Sequence, residues 1–234
     1  QDEKNEILKV IDKVLASGHL VMTEELAEFE NKISHYTGSP YCLGLNSGTD
    51  ALMMAMMAAG VKKGDEVITS PISFIATVGA IFHIGAKPVF VDTSDDMNIS
   101  IDKIEQAITP KTKAIIPVHW IGRVCNMTKI LEVAKKYNLI VIEDSAQSMG
   151  SYYNDQHGGT FGLCGAISFH PLKNLNGLGD GGMLLTNSKE IYEKVKLYRN
   201  HGMESRDNYV EFGVNSRLDI LNSEVLKFRL TKLD

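Results

Sequence analysis

Short, largely apolar runs recur along this chain, and each is followed by a stretch with helical spacing. Residues 41–45, 66–69, 88–91, 114–118, 139–142 and 166–169 read as strands. Residues 50–59, 76–84, 101–108 and 128–137 read as the helices between them. Strands without polar alternation are buried on both faces, and strands separated by helices pair in parallel. The expectation is an α/β fold: three αβα layers around a mostly parallel central sheet. In such sheets the chemistry gathers beyond the carboxyl ends of the strands, so the residues just past each run are the ones to question.

Two amphipathic helices precede the alternation as a lead-in over residues 1–30. The first carries Ile7, Leu8, Ile11, Val14 and Leu15 on one face. The second has Thr23 at its N-cap position, Glu24 and Glu25 in its first turn, and Leu26, Phe29 and Ile33 together on one side. The chain opens inside one helical pattern and stops inside another at 231–234, which reads as a fragment. A net charge of -5 with no long basic run gives no footing for nucleic acid or an anionic membrane surface. The longest apolar run, 51–61, is too short to span a bilayer, and no charged-then-apolar leader is present. Cys42, Cys125 and Cys164 are odd in number and form no CxxC pair, which fits reduced thiols in a cytoplasm and argues against a disulfide scaffold or zinc site. No two histidines stand at metal-ligand spacing, so no metal is expected.

After the first strand comes Ser47-Gly48-Thr49, directly before an apolar helix. Free N–H groups at a helix start, with a glycine for close approach, make either an anion site or an ordinary cap. Ser70 to Phe74 follows the second strand, and Phe74 reads either as a ring to cover a flat ligand or as a core residue. Asp144 and Gln147 follow the 139–142 strand, where a carboxylate needs a cationic or proton-bearing partner. Lys173 stands between the 166–169 strand and a glycine-rich turn, placed to aim its amine. Gly177, Gly179 and Gly182 have dinucleotide-fingerprint spacing, but a short strand-like run follows them where a helix is required, which removes the dehydrogenase reading. They read instead as making room around a bound ring.

Together these motifs resemble the DegT/DnrJ/EryC1/StrS family of sugar aminotransferases, which share the aspartate aminotransferase fold (fold type I). The resemblance runs from about Thr23 to the end and implies pyridoxal 5'-phosphate as cofactor. Ser47-Gly48-Thr49-Asp50-Ala51-Leu52 resembles the family's phosphate turn, and Ser73-Phe74-Ile75-Ala76-Thr77 its ring-stacking segment, with Phe74 on the ring. Glu143-Asp144-Ser145-Ala146-Gln147 resembles its acid motif, giving Asp144 the pyridine nitrogen and Gln147 the 3-hydroxyl side. Ser168-Phe169-His170-Pro171-Leu172-Lys173-Asn174 resembles its lysine motif, giving Ser168 the phosphate and Lys173 the Schiff base. Asn215-Ser216-Arg217-Leu218-Asp219 is similar to a segment whose asparagine reaches the phosphate of a neighbouring subunit, which implies a homodimer with a shared site.

On that resemblance residues 31–200 form the large cofactor-binding domain, and 201–234 leads toward a small C-terminal domain missing from this chain. One departure is Leu163, where the family often carries an acid. The implied reaction moves an amino group from L-glutamate to a keto sugar nucleotide. Gly179-Asp180-Gly181-Gly182 leans toward 3-keto over 4-keto sugars. The alternatives are a sugar dehydratase, whose relatives carry histidine in place of the lysine, and a non-catalytic cofactor or sugar-nucleotide binder. His119, His157, His170 and His201 are expected to be packed or backbone-bonded.

Overall fold

The computed structural model describes residues 3–233; Gln1, Asp2 and Asp234, the outer tips of the lead-in and of the 201–234 segment, lie outside the described residues. The chain opens with α1 (Lys4–Ser17) and α2 (Glu24–Thr37), and α2 runs unbroken past residue 30, the expected end of the lead-in. The alternation follows as β1 (Tyr41–Leu45), α3 (Gly48–Ala58), β2 (Glu66–Thr69), α4 (Ile75–His83), β3 (Lys87–Phe90), α5 (Ile101–Ala107), β4 (Thr112–Ile116), α6 (Met127–Tyr137) and β5 (Ile140–Asp144). Next come a hairpin of β6 (Tyr152–Tyr153) and β7 (Gln156–His157), then β8 (Cys164–Ser168), β9 (Gly182–Thr186) and α7 (Lys189–Tyr198). A second hairpin, β10 (Met203–Ser205) with β11 (Asn208–Tyr209), precedes α8 (Ile220–Leu230).

Seven strands form one sheet in the order β1-β9-β8-β5-β4-β2-β3. The pairs from β8 to β3 are parallel, as the apolar runs predict, and β9 alone runs against both its neighbours. Because side chains alternate along a strand, each run feeds two cores. Leu43, Val67, Ile116, Ile142, Ala166 and Leu184 face α3, α4 and α7. On the other face Ile167, Met183 and Leu185 meet α2 and α8, while Ile68, Ile115 and Val141 meet α5 and α6. The expected three layers are therefore present. Among the described residues no helix is long and apolar enough to cross a membrane.

The lead-in packs on the sheet through α2, whose Leu26, Phe29 and Ile33 are buried. Of the expected α1 face only Val14 is buried, with Leu8 and Leu15 left 50% and 61% exposed. A buried ion pair joins α2 to the end of α7: Arg199 Nη1 donates to Glu30 Oε1 and, at 2.9 Å, to the Gly44 carbonyl, and the Gly44 N–H donates to the same Glu30 oxygen. The sequence reading assigns no element at α7 or α8, although Ile191, Val195 and Tyr198 stand at helical spacing in α7. α7 buries only Ile191 and Val195, and α8 interleaves buried Asn222, Ser223 and Glu224 with its apolar positions.

The region after β5 is held by one carboxylate. Glu143 and Asp144 end β5 on opposite faces of the sheet, and Glu143 is fully buried. Its Oε1 accepts from the Phe161 and Gly162 N–H groups at 2.8 and 2.7 Å. Its Oε2 accepts from the Gly159 N–H at 2.8 Å and is 2.9 Å from His119 Nε2. His119 Nδ1 accepts from the Cys125 N–H, which leaves the ring proton on Nε2 to donate to Glu143. The loop thus folds under the strand, with Gly159 pressed against Gly165 of β8 so closely that a side chain at 165 would overlap its carbonyl. In Glu143→Gln one oxygen becomes an NH2 group facing N–H donors, and two or more buried donors lose their acceptor. At about 1–3 kcal/mol each, the loss of stability is expected to be about 2–6 kcal/mol. Urea unfolding should show a lower midpoint with an unchanged slope.

Candidate active site

A cavity of about 400 Å³ opens beyond the carboxyl ends of the parallel strands. Ser47, Gly48, Thr49, Phe74, Asp144, Gln147, Ser168 and Lys173 all line it, so eight of the nine expected site residues meet in one place. Asn215, the ninth, is exposed outside the cavity, its backbone bridged to Asn200.

The β1–α3 turn supplies an anion cradle. Ser47 caps α3 by accepting the Asp50 N–H at 3.1 Å on its hydroxyl, and its carbonyl takes the Ala51 N–H. The Gly48 and Thr49 N–H groups are left with no protein acceptor among the described residues, at the positive end of an apolar, buried helix. The cap and the anion site are thus the same turn. Ser168, at the end of β8, stands directly beside Gly48. Gly182 on β9 lies against the Ser47–Gly48 peptide, where any side chain would overlap it, and Gly177 lies against the Asn222 side chain. These two glycines therefore make room for the chain's own packing rather than for a ring, which corrects the sequence expectation.

Asp144, 7% exposed, accepts the Thr77 hydroxyl on Oδ2 at 2.6 Å and the Ala146 N–H on Oδ1 at 3.2 Å. Gln147 accepts the Ile121 N–H at 2.7 Å through Oε1, which fixes its amide so that the NH2 end is left to donate. Ile121 is held at φ 49° to do this, a left-handed conformation that costs a β-branched residue about 1–2 kcal/mol. Phe74 is not a core residue: it is the N-cap of α4, 69% exposed at the lip of the cavity.

Lys173 follows β8 on a braced turn. Its own N–H donates to the His170 carbonyl at 2.8 Å, the Gly177 N–H to the Phe169 carbonyl at 2.7 Å, and the Asn174 amide to the Met149 carbonyl at 3.0 Å. The Lys173 side-chain nitrogen has no carboxylate or hydrogen-bond partner among the described residues, and Lys173 is the lysine that lines the cavity. The cysteines are inert by comparison, since burial pushes the Cys42 and Cys164 thiols up to about 12. His157 is neutral and backbone-bonded, pushed down by burial and accepting the Gly150 N–H. His170 Nδ1 likewise accepts the Leu172 N–H, although the ring also lines the cavity. His201 is exposed. Leu163, where the resemblance fails, precedes β8 at the end of the strand remote from the cavity.

The sequence reading names Thr77 only as part of the ring-stacking segment, His119 only as a packed histidine, which it is, and Trp120 not at all; Thr77 bonds Asp144, and in the cavity wall stand His119 and Trp120. The last two follow β4, so the rule of questioning residues beyond each strand points to them. Unpaired N–H groups for a phosphate, a buried acid, an unpaired amine and an exposed ring within one cavity fit pyridoxal 5'-phosphate.

Comparison with known proteins agrees with that fit. The sequence model of the DegT/DnrJ/EryC1/StrS aminotransferase family matches residues 1–234. A "pleiotropic regulatory protein" of Geobacillus stearothermophilus is 42% identical over 233 residues, covering 99% of this chain and 62% of the relative. UDP-N-acetyl-3-dehydro-alpha-D-glucosamine 3-aminotransferase of Acidithiobacillus ferrooxidans is 42% identical over 225 residues, covering 96% and 61%. The structure of NtdA from Bacillus subtilis with bound cofactor PMP superposes with a TM-score of 0.94 at 35% identity, covering all of this chain and 54% of that one. The chain thus spans less than two thirds of the length of these relatives. Aminotransferases of this family use pyridoxal phosphate. With a match over its whole length and relatives at 42% identity, this chain belongs to the DegT/DnrJ/EryC1/StrS aminotransferase family.

Proposed function

We propose that this chain carries the cofactor site of an aminotransferase that moves an amino group from L-glutamate to a keto sugar joined to a nucleotide. The observation that carries the reading is the unpaired amine of Lys173 in a cavity that also holds the Gly48–Thr49 cradle and Asp144. The Gly48 and Thr49 N–H groups and the Ser168 hydroxyl would bind the phosphate, and Phe74 would cover one face of the ring. Asp144 would keep a proton on the ring nitrogen, and the Gln147 NH2 would be the donor for the ring's 3-oxygen. Lys173 would hold the cofactor through its side-chain nitrogen and, when free, would take or return the proton at the donor's α-carbon. When bound, pyridoxal phosphate supplies the electron sink for that proton's departure. Removing Asp144 therefore slows chemistry more than it weakens binding.

A 3-keto sugar is the favoured acceptor. The Gly179–Gly182 segment supports this, as does a relative whose name specifies a 3-aminotransferase. A homodimer is supported by Asn215 standing exposed outside its own cavity, and by the exposed apolar side chains of Phe74 and Leu172 on the cavity lining. Unpaired, buried thiols fit a cytoplasmic enzyme. Lys173 disfavours the dehydratase reading, and a chemically equipped cavity disfavours a binding relic.

Borohydride treatment of the full-length protein with pyridoxal phosphate is expected to fix the cofactor mass on the peptide containing Lys173; mass on another lysine, or on none, removes the reading. Lys173→Ala should bind the cofactor and lose turnover by about a thousandfold or more, a loss in the range typical of removing a positioned base or nucleophile. Among keto sugar nucleotides offered with L-glutamate, 2-oxoglutarate release should be greatest with 3-keto compounds. A preference for 4-keto compounds would overturn the substrate assignment alone.

A further inference from the structure

Thr77 is fully buried in the first turn of α4, and its hydroxyl reaches across to β5 rather than back to its own helix. It meets Asp144 Oδ2 at 2.6 Å, the distance of a charge-assisted O–H to carboxylate bond. The other restraint on that carboxylate, the Ala146 N–H, is longer at 3.2 Å and comes from a neighbour in sequence, so it leaves the plane of the group poorly fixed. The same α4 turn carries Phe74 at its N-cap, three residues earlier, on the lip of the cavity. One turn thus sets both where a flat ring can lie and how the carboxylate is turned to meet its edge.

The geometry points to Thr77 as the positioning residue of Asp144: its hydroxyl locks the carboxylate in the orientation from which it meets a protonated ring nitrogen, in register with Phe74. This deepens the proposed function and rests on it for the identity of the ring. A hydrogen bond to a charged group is worth about 1.5–3 kcal/mol, or roughly ten- to a hundredfold in an equilibrium or a rate.

The test compares full-length wild type with Thr77→Val, which keeps the shape and removes the hydroxyl, and Thr77→Ser, which keeps the hydroxyl. Cofactor-free crystal structures, the pyridoxal phosphate dissociation constant, the bound absorption spectrum and the first half-reaction with L-glutamate are measured for each. Thr77→Val is expected to show a turned Asp144 carboxylate, an altered spectrum, and about tenfold or greater losses in affinity and half-reaction rate. Thr77→Ser is expected to stay within about threefold of wild type. An unmoved carboxylate with unchanged affinity and spectrum in Thr77→Val overturns the proposal, as does a Thr77→Ser variant as impaired as Thr77→Val. If Thr77→Val does not fold, Thr77→Ala replaces it in the same comparison. Failure of the wild type to take up cofactor would sink the proposed function, while the cofactor-free structures would still decide whether Thr77 orients Asp144.

Discussion

Glu143 is a carboxylate with no exposed surface, and such a group is tolerated only because donors replace the water it has lost. Three backbone N–H groups from the 159–162 loop and the His119 ring surround it. Desolvating one carboxylate costs several kcal/mol, and four donors at normal hydrogen-bond distances offset that. The consequence is geometric. The loop is pinned beneath β5, β8 is brought in beside it through the Gly159–Gly165 contact, and the turn bearing Lys173 follows from the end of β8.

Strand alternation then divides the work between neighbours. Glu143 faces the loop and Asp144 faces the cavity, so the residue that fixes the strand end and the residue available for chemistry are adjacent in sequence and opposite in space. The strands around β5 contribute in the same way. β1 ends in the turn that starts α3 and leaves two N–H groups unpaired, β2 leads to Phe74 and Thr77, and β4 leads to His119 and Trp120. A parallel sheet places all these ends on one side, which is why residues from 47 to 173 converge on about 400 Å³.

Much of this was legible in the sequence because burial on both faces leaves an unmistakable pattern. The six expected strands all form, with boundaries shifted by at most about two residues. α3 was equally plain, since a helix apolar on nearly every side has to be buried. α8 and the two hairpins were not, because buried polar residues interrupt the apolar positions of α8 and the hairpin strands are only two or three residues long, whereas α7 carries a readable signal in Ile191, Val195 and Tyr198 behind the Ser188 cap. Site residues that follow strands were found by that rule, Phe74 and Lys173 among them. Partners defined by long-range contact were not: Thr77 lies 67 positions from Asp144, and Glu30 lies 169 from Arg199. The fingerprint-like glycines misled for a related reason, since spacing does not reveal that Gly182 faces the Ser47–Gly48 peptide and Gly177 faces Asn222.

The central claim is that the unpaired Lys173 amine, the Gly48–Thr49 N–H pair and Asp144 address one ligand at once. A crystal structure of the full-length protein grown with pyridoxal phosphate tests it most directly. The account predicts density continuous from Lys173 Nζ to the ring, the phosphate on the Gly48 and Thr49 N–H groups, and the ring nitrogen within hydrogen-bond distance of Asp144. A phosphate bound elsewhere, or a ring that leaves Asp144 without a contact, would contradict it.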